Sequence, residues 1–121
     1  MNTRDWQICQ KLLSESQMLH SLLEGYPLEA FLGDERTIRA ASMTLINIGE
    51  LVKNLTENFR QAHREIPWRA IAGMRDVSAH KYQTLRKEDV YTTCTEDVPE
   101  FAQQIEALLL NDPTGVERYD P

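Results

Sequence analysis

The stretch Asp34-Glu-Arg-Thr-Ile38-Arg-Ala-Ala41-Ser-Met-Thr-Leu45-Ile-Asn-Ile48-Gly-Glu-Leu-Val52-Lys-Asn-Leu55-Thr-Glu-Asn-Phe59 decides the fold of this chain. Its apolar residues Ile38, Ala41, Leu45, Ile48, Val52, Leu55 and Phe59 recur in alternating steps of three and four. That spacing keeps them on one stripe of a helix and off one face of a strand. Asp34, after Gly33, suits the N-cap, where a carboxylate can accept a hydrogen bond from a free backbone N–H. Glu50 and Lys53, three residues apart, can pair beside the stripe. A seam this long calls for another helix along its length, supplied by the same chain or by a second subunit.

Working outward, Ile8, Cys9, Leu12, Leu13, Ser16, Leu19 and Leu23 predict a first helix over about 3–24, with Thr3 as N-cap and Asp5 near the positive end of the helix dipole. Gly25-Tyr26-Pro27 ends it, because glycine accepts a left-handed cap and proline cannot continue a helix. Leu28 to Leu32 reads as an apolar connector. Beyond the seam, Arg60 to Ile66 reads as a loop or a single turn and Ile66-Pro67-Trp68 restarts a helix, proline being tolerated in a first turn. Trp68, Ile71, Ala72 and Val77 face the core of this short helix, which ends near Ala79. Gln83 to Arg86 connects to a last helix over 87–110, striped by Val90, Cys94, Val98, Phe101, Ile105 and Leu108. Pro99 lies inside that stripe and predicts a kink or a split, since it has no N–H and crowds the preceding turn. The expected fold is all-α, an up-and-down bundle of four to five helices in one domain over residues 1–110, with 111–121 as a flexible C-terminal tail.

Composition narrows the function. No apolar run approaches the length that spans a bilayer, and no signal core follows the N-terminus, so a cytoplasmic chain with no membrane partner is expected. Two cysteines, Cys9 and Cys94, both on helical stripes, make no disulfide framework and read as reduced, buried thiols. The net charge is −6, but it is unevenly spread. Residues 61–87 carry six basic and two acidic groups, a net of +4, whereas residues 88–121 carry one basic and nine acidic groups, a net of −8. The basic third can guide a phosphate to an otherwise acidic protein, or it can be an ordinary solvated face.

That third contains Arg75-Asp-Val-Ser-Ala-His-Lys-Tyr82. Arginine offers a fixed, forked cation that matches phosphate oxygens. Histidine, with an unperturbed pKa near ~6.5, can take and give protons at neutral pH. Tyr82 can hydrogen-bond a phosphate or stack on a base. For RNA, the substrate's own 2′-hydroxyl is a nucleophile, so the chemistry requires no metal or other cofactor. On an unbroken helix Arg75 and His80 would point about 140° apart at roughly 100° per residue. They converge only if the helix unwinds or if two copies of the chain build the site together. His20, His63 and His80 are scattered and form no metal-binding pair. Ser78, His80 and Asp76 are too close in sequence for a hydrogen-bonded triad, and no Gly-rich phosphate loop is present. The pattern alone leaves both a catalytic site and an ordinary helix end open.

The spacing Arg75-x4-His80-x-Tyr82 resembles the motif of the HEPN superfamily, specifically the HepT-like toxins of toxin–antitoxin pairs. Ile48-Gly-Glu-Leu-Val-Lys-Asn-Leu55, Ile66-Pro-Trp-Arg-Ala-Ile-Ala-Gly-Met-Arg75, and Asp89-Val-Tyr with Asp97-Val-Pro99 are similar to the segments flanking that motif, and the likeness covers most of residues 1–110. It implies a homodimeric HEPN-like bundle whose two motifs meet at the subunit interface. It also implies metal-independent endoribonuclease activity with Arg75 and His80 as catalytic residues, and Asp76 and Lys81 in support. The implied partner is an MntA-like minimal nucleotidyltransferase antitoxin that transfers AMP to Tyr82 and silences the toxin, a type VII-like arrangement. Asp76 stands where the family often has asparagine; its carboxylate can orient the Arg75 guanidinium or partly neutralise it. The alternative is a non-catalytic, nucleotide- or substrate-binding subunit of a two-chain nucleotidyltransferase. RNA left intact by the pure chain would favour that alternative.

Overall fold

The computed structural model describes residues 1–76 and 86–112, with Arg75 and Asp76 described by their backbone alone. In chain order the elements are α1 (Thr3–Leu23), α2 (Leu28–Leu32), α3 (Glu35–Lys53), α4 (Glu57–Ala62) and α5 (Trp68–Ala72), the last tightening into a 3-10 turn, Gly73–Asp76. After the motif come α6 (Lys87–Thr92), a π turn (Thr93–Asp97) and α7 (Val98–Asn111). Among the described residues there is no strand, and no helix is long and apolar enough to cross a membrane. The expected tail beyond Asp112 lies outside the described residues.

The seam of α3 is the centre of the bundle. Ile38, Ala41, Leu45, Ile48 and Val52 are each at most 1% exposed. Helix α1, α5 and the 3-10 turn cover them, and α7 packs against α1. The long apolar stripe is therefore satisfied within one chain, and it calls for no second subunit. The helix also stops earlier than the stripe does. Asn54 caps α3, and Leu55 and Phe59 stay buried on either side of the break, at the start of α4.

A buried carboxylate accounts for that break. Asp5, only 1% exposed, accepts hydrogen bonds from the Thr56 backbone N (2.9 Å) and Thr56 Oγ1 (2.7 Å). Thr56 Oγ1 in turn accepts from Phe59 N at 3.2 Å and caps α4. A buried charge is tolerated only when its acceptor sites are filled in this way. Asp5 thus ties the start of α1 to the start of α4, a larger role than the dipole effect read from sequence. The expected N-cap of α1 is also displaced by one residue. Asn2 caps the helix, its side chain accepting from Asp5 N at 2.7 Å, and Thr3 is the first helical residue.

The α1–α3 connection follows the punctuation. Gly25 adopts φ +70°, the left-handed conformation glycine accepts at no steric cost. The expected connector Leu28–Leu32 is itself one helical turn, because Phe31 is fully buried and its N–H reaches Pro27 O at 3.0 Å. Asp34 is the N-cap of α3, as its position predicts. It accepts from Thr37 N (3.1 Å), from Thr37 Oγ1 (2.7 Å) and from the Tyr26 hydroxyl. The Thr37 and Tyr26 hydrogen bonds hold its carboxyl down at about 2, and the same bond raises the Tyr26 phenol above its ordinary value. A lowered carboxylate pKa stabilises the fold above its unfolded value, near ~4, and the effect fades as the pH falls through about 2. The gap in melting temperature between wild type and Asp34→Ala is therefore expected to stay constant near neutrality. It should narrow between about pH 4 and pH 2. A gap unchanged across that range in a thermal melt series would remove Asp34 ionisation as its cause.

Pro99 produces a bulge. The buried stripe Val90, Cys94, Val98, Phe101 and Ile105 advances by 4, 4, 3 and 4. Two consecutive steps of four overshoot a regular α-helix by about 40° each. The π turn absorbs the excess: Val98 N–H donates to Thr93 O, five residues back. Pro99, with no N–H to donate, follows in the first turn of α7, where none is required.

Candidate functional site

Helix α5 carries the arginine of the motif, and Trp68 fixes α5. The indole Nε1–H donates to both Arg60 O (3.1 Å) and His63 O (2.9 Å) at the end of α4, each of which also accepts a backbone N–H, from His63 and Ile66 respectively. The ring packs against Phe59 at 5.8 Å and meets Phe101 of α7 edge-on at 6.0 Å. The segment from Arg60 to Ile66, expected as a loop or a single turn, therefore ends the short helix α4 and supplies the carbonyls that hold Trp68. Ile71 is buried one turn further on. Gly73 N–H then bonds back to both Arg69 O and Ile71 O, and the helix tightens into the 3-10 turn that holds the backbone of Arg75 and Asp76. A 3-10 segment has three residues per turn instead of 3.6, so regular α-helix geometry does not hold over Gly73–Asp76.

Past the motif, α6 is held to the same scaffold. Lys87 Nζ lies 3.6 Å from Glu35 Oε2 at the start of α3. Tyr91 Oη donates to Tyr26 O at 2.7 Å, and its ring tilts against Phe31 at 5.2 Å. Arg75 and Asp76 are thus placed by backbone at the end of α5. His80, Lys81 and Tyr82 lie outside the described residues, as does the expected helix end near Ala79.

Between α5 with its turn and the α6–α7 segment runs a groove of about 610 Å³. Its floor is apolar, formed by Leu45, Ile71, Val90 and Phe101, and Gly73 and Met74 form its wall immediately before Arg75. The opposite rim carries Asp89, Asp97 and Glu100, and Glu65 lines the near side. The π turn supplies two lining residues, Thr93 and Asp97. Sequence reading missed this acidic rim: its members come from three elements and follow no motif. Carboxylates repel phosphate, so the described rim is no anion site in itself.

The other candidate groups behave as structural ones. Cys9 and Cys94 are free and buried, and burial pushes both thiols up to about 12, which leaves them no nucleophilic role at neutral pH. His63 stacks on Phe59 at 4.8 Å with Nδ1 3.7 Å from Glu65 Oε1, and His20 is exposed in the last turn of α1. No three His, Cys, Asp or Glu side chains converge as a metal-binding cluster among the described residues.

Comparison with known proteins places this geometry in a family. The family model described as Ribonuclease HepT-like matches residues 12–108, a span that includes Arg75, His80 and Tyr82. A protein of Caldanaerobacter subterraneus subsp. tengcongensis, named as a candidate RNase, is 35% identical over 100 residues, covering 83% of this chain and 89% of the relative. A protein of Thermococcus cleftensis, named as a candidate ribonuclease HepT, is 39% identical over 80 residues, 66% of this chain and 73% of its own. A candidate RNase of Methanocaldococcus jannaschii is 33% identical over 81 residues, 67% of each chain. No solved structure matches. A helical bundle built on α3 and a family match over four-fifths of its length lead to one conclusion: this chain belongs to the HepT-like ribonuclease family.

Proposed function

We propose that this chain is the toxin component of a toxin–antitoxin pair, a metal-independent endoribonuclease working as a homodimer with Arg75 and His80 as its catalytic residues. The observation that carries the reading is the family match over residues 12–108, which takes in Arg75-x4-His80-x-Tyr82, the chain's single Arg/His/Tyr cluster. The position of the Arg75 backbone supports it, next to Gly73 and Met74 on the groove wall.

In this mechanism His80 takes the proton from a ribose 2′-hydroxyl. The freed oxygen attacks the adjacent phosphorus, and the 5′-oxygen leaves with a proton. Arg75 holds the non-bridging oxygens, whose charge grows in the transition state. Two copies of the motif at a dimer interface supply one histidine as base and another as acid. Asp76 orients the guanidinium, and Lys81 adds positive charge.

Tyr82 is the point of control. A cognate MntA-like nucleotidyltransferase binds the toxin, and the Tyr82 oxygen displaces pyrophosphate from ATP to give an AMP-tyrosine. The added bulk and negative charge exclude RNA phosphates from the site.

The products test the chemistry. RNA cut by the pure chain in the presence of EDTA should end in a 2′,3′-cyclic phosphate on one side and a 5′-hydroxyl on the other. Cleavage that needs added metal, or that leaves a 5′-phosphate, would contradict the mechanism.

A further inference from the structure

Gly73 is a glycine that the fold of this chain does not require. Its φ of −63° and ψ of −16° are ordinary right-handed values, open to any residue. A Cβ built on it meets nothing within 4 Å among the described residues. Glycine in a helical segment costs stability relative to alanine, so nothing inside the chain repays its presence. Gly73 is exposed and lines the groove of about 610 Å³, directly before Met74 and Arg75. Its missing side chain leaves room for a ligand to lie against the backbone there.

The lining of the groove defines the chemistry of that ligand. The floor of Leu45, Ile71, Val90 and Phe101 suits the face of a planar ring. Of the six polar side chains among the described lining residues, four are carboxylates, the others are Thr93 and Gln104, and none is a cation. Glu65 is engaged by His63 at 3.7 Å, and Asp89, Asp97 and Glu100 stand exposed on the opposite rim. Such a rim repels phosphate and accepts N–H donors. A nucleobase fits both demands: it is uncharged, apolar on its faces and carries its donors on its edge. The volume is in the range of sites that hold molecules of nucleoside size.

We infer that this groove is a nucleobase subsite, in which a base next to the scissile bond lies against Gly73 and presents its edge to Asp89, Asp97 and Glu100. The inference rests on the ribonuclease reading above and adds a base preference to it. The phosphate stays with Arg75, and the acidic rim takes the uncharged part of the same nucleotide. Guanine presents N1–H and N2–H side by side, a pair that one carboxylate accepts through two charge-assisted bonds. Uracil presents a single N–H between two carbonyl oxygens, which carboxylates repel. Cleavage therefore favours guanine over uracil beside the cut.

A pool of random-sequence RNA, cut by the purified full chain in EDTA and sequenced at the new ends, reads this preference. Guanine is expected to exceed uracil by about fivefold or more at one of the two positions flanking the cut, the lower end of what one bidentate contact discriminates. In Asp97→Asn/Glu100→Gln, whose amides also donate, that ratio should fall to within about twofold. Gly73→Ala should melt no lower than wild type, yet its KM for RNA should rise by about fivefold or more, with kcat falling less, because the new methyl occupies the space of the base. A wild-type pool without guanine preference, an amide variant with the wild-type ratio, or Gly73→Ala with an unchanged KM would overturn the subsite and leave the ribonuclease standing. Gly73→Ala that sediments as a smaller species than wild type would also overturn it, by giving the open space to a subunit contact. RNA left uncut by the wild-type chain would overturn both readings.

Discussion

His80→Ala is expected to lower the rate of RNA cleavage by about 10²- to 10⁴-fold, the range that a positioned acid or base contributes. The helical content should stay unchanged. The reaction asks for two proton transfers at neutral pH, and of the side chains in the Arg75–Tyr82 cluster only imidazole changes charge there without help from its surroundings. Arg75→Ala should cost a similar factor through a different route, by removing a forked cation from the phosphate. Arg75→Lys should recover only part of that loss, because an ammonium keeps the charge but not the fork. If both groups act in one transition state, the Arg75→Ala/His80→Ala double variant will be little slower than the worse single one. The signature that separates chemistry from structure is the pH profile: the His80 variant should lose the limb near neutrality that wild type shows, while the Arg75 variant keeps it. Equal pH profiles in all three proteins would remove His80 from proton transfer.

The second large effect is on stability. Trp68→Ala is expected to cost about 3–5 kcal/mol, typical of deleting a buried aromatic ring. Stabilities of natural domains run at about 5–15 kcal/mol, so this one change would consume a large part of the total. Three losses coincide at this residue. The ring leaves a void between Phe59 and Phe101, the Arg60 and His63 carbonyls lose their shared donor, and α5 loses its anchor on α4. Trp68→Phe keeps most of the packing and loses the N–H, while the Arg60 and His63 carbonyls keep their backbone donors, so it should cost about 0.5–1.5 kcal/mol, the net worth of a hydrogen bond. Urea unfolding followed by circular dichroism measures both, with the slope m unchanged if only the native state is affected. Because α5 leads directly into the turn that holds Arg75, cleavage should fall in Trp68→Ala even at temperatures where the variant remains folded. An alanine variant as stable as Trp68→Phe would show that the ring packing contributes little.

What could be read from the sequence depended on the range of the forces involved. The α3 seam, the Asp34 cap and the Gly25 turn are local: periodicity, a side chain reaching a neighbouring N–H, and a left-handed φ act within a few residues. All three were legible. Pro99 announced a discontinuity, and the stripe steps of 4, 4, 3 and 4 already encoded its form as a π turn. The break between α3 and α4 was not legible, since it depends on Asp5 reaching Thr56 across 51 positions. The same holds for Trp68, whose position looked like ordinary core but which also fastens α5 to the end of α4. Periodicity says that the α3 stripe must be buried without saying by which chain, so the sequence left both sources open and the structure shows the same chain covering it. The motif itself was legible as a pattern of residue types, and its family segments carried the identification. The acidic groove was not, because the run carrying Asp89, Asp97 and Glu100 comes to face α5 and Glu65 only in the folded chain.

The most direct measurement is cleavage of a defined RNA by the purified chain in EDTA, side by side with Arg75→Ala and His80→Ala. The prediction is cleavage by the wild-type chain and its loss, by about 100-fold or more, in each variant. RNA that stays intact with the wild-type chain, or is cut equally by all three proteins, would contradict the assignment of ribonuclease chemistry to Arg75 and His80.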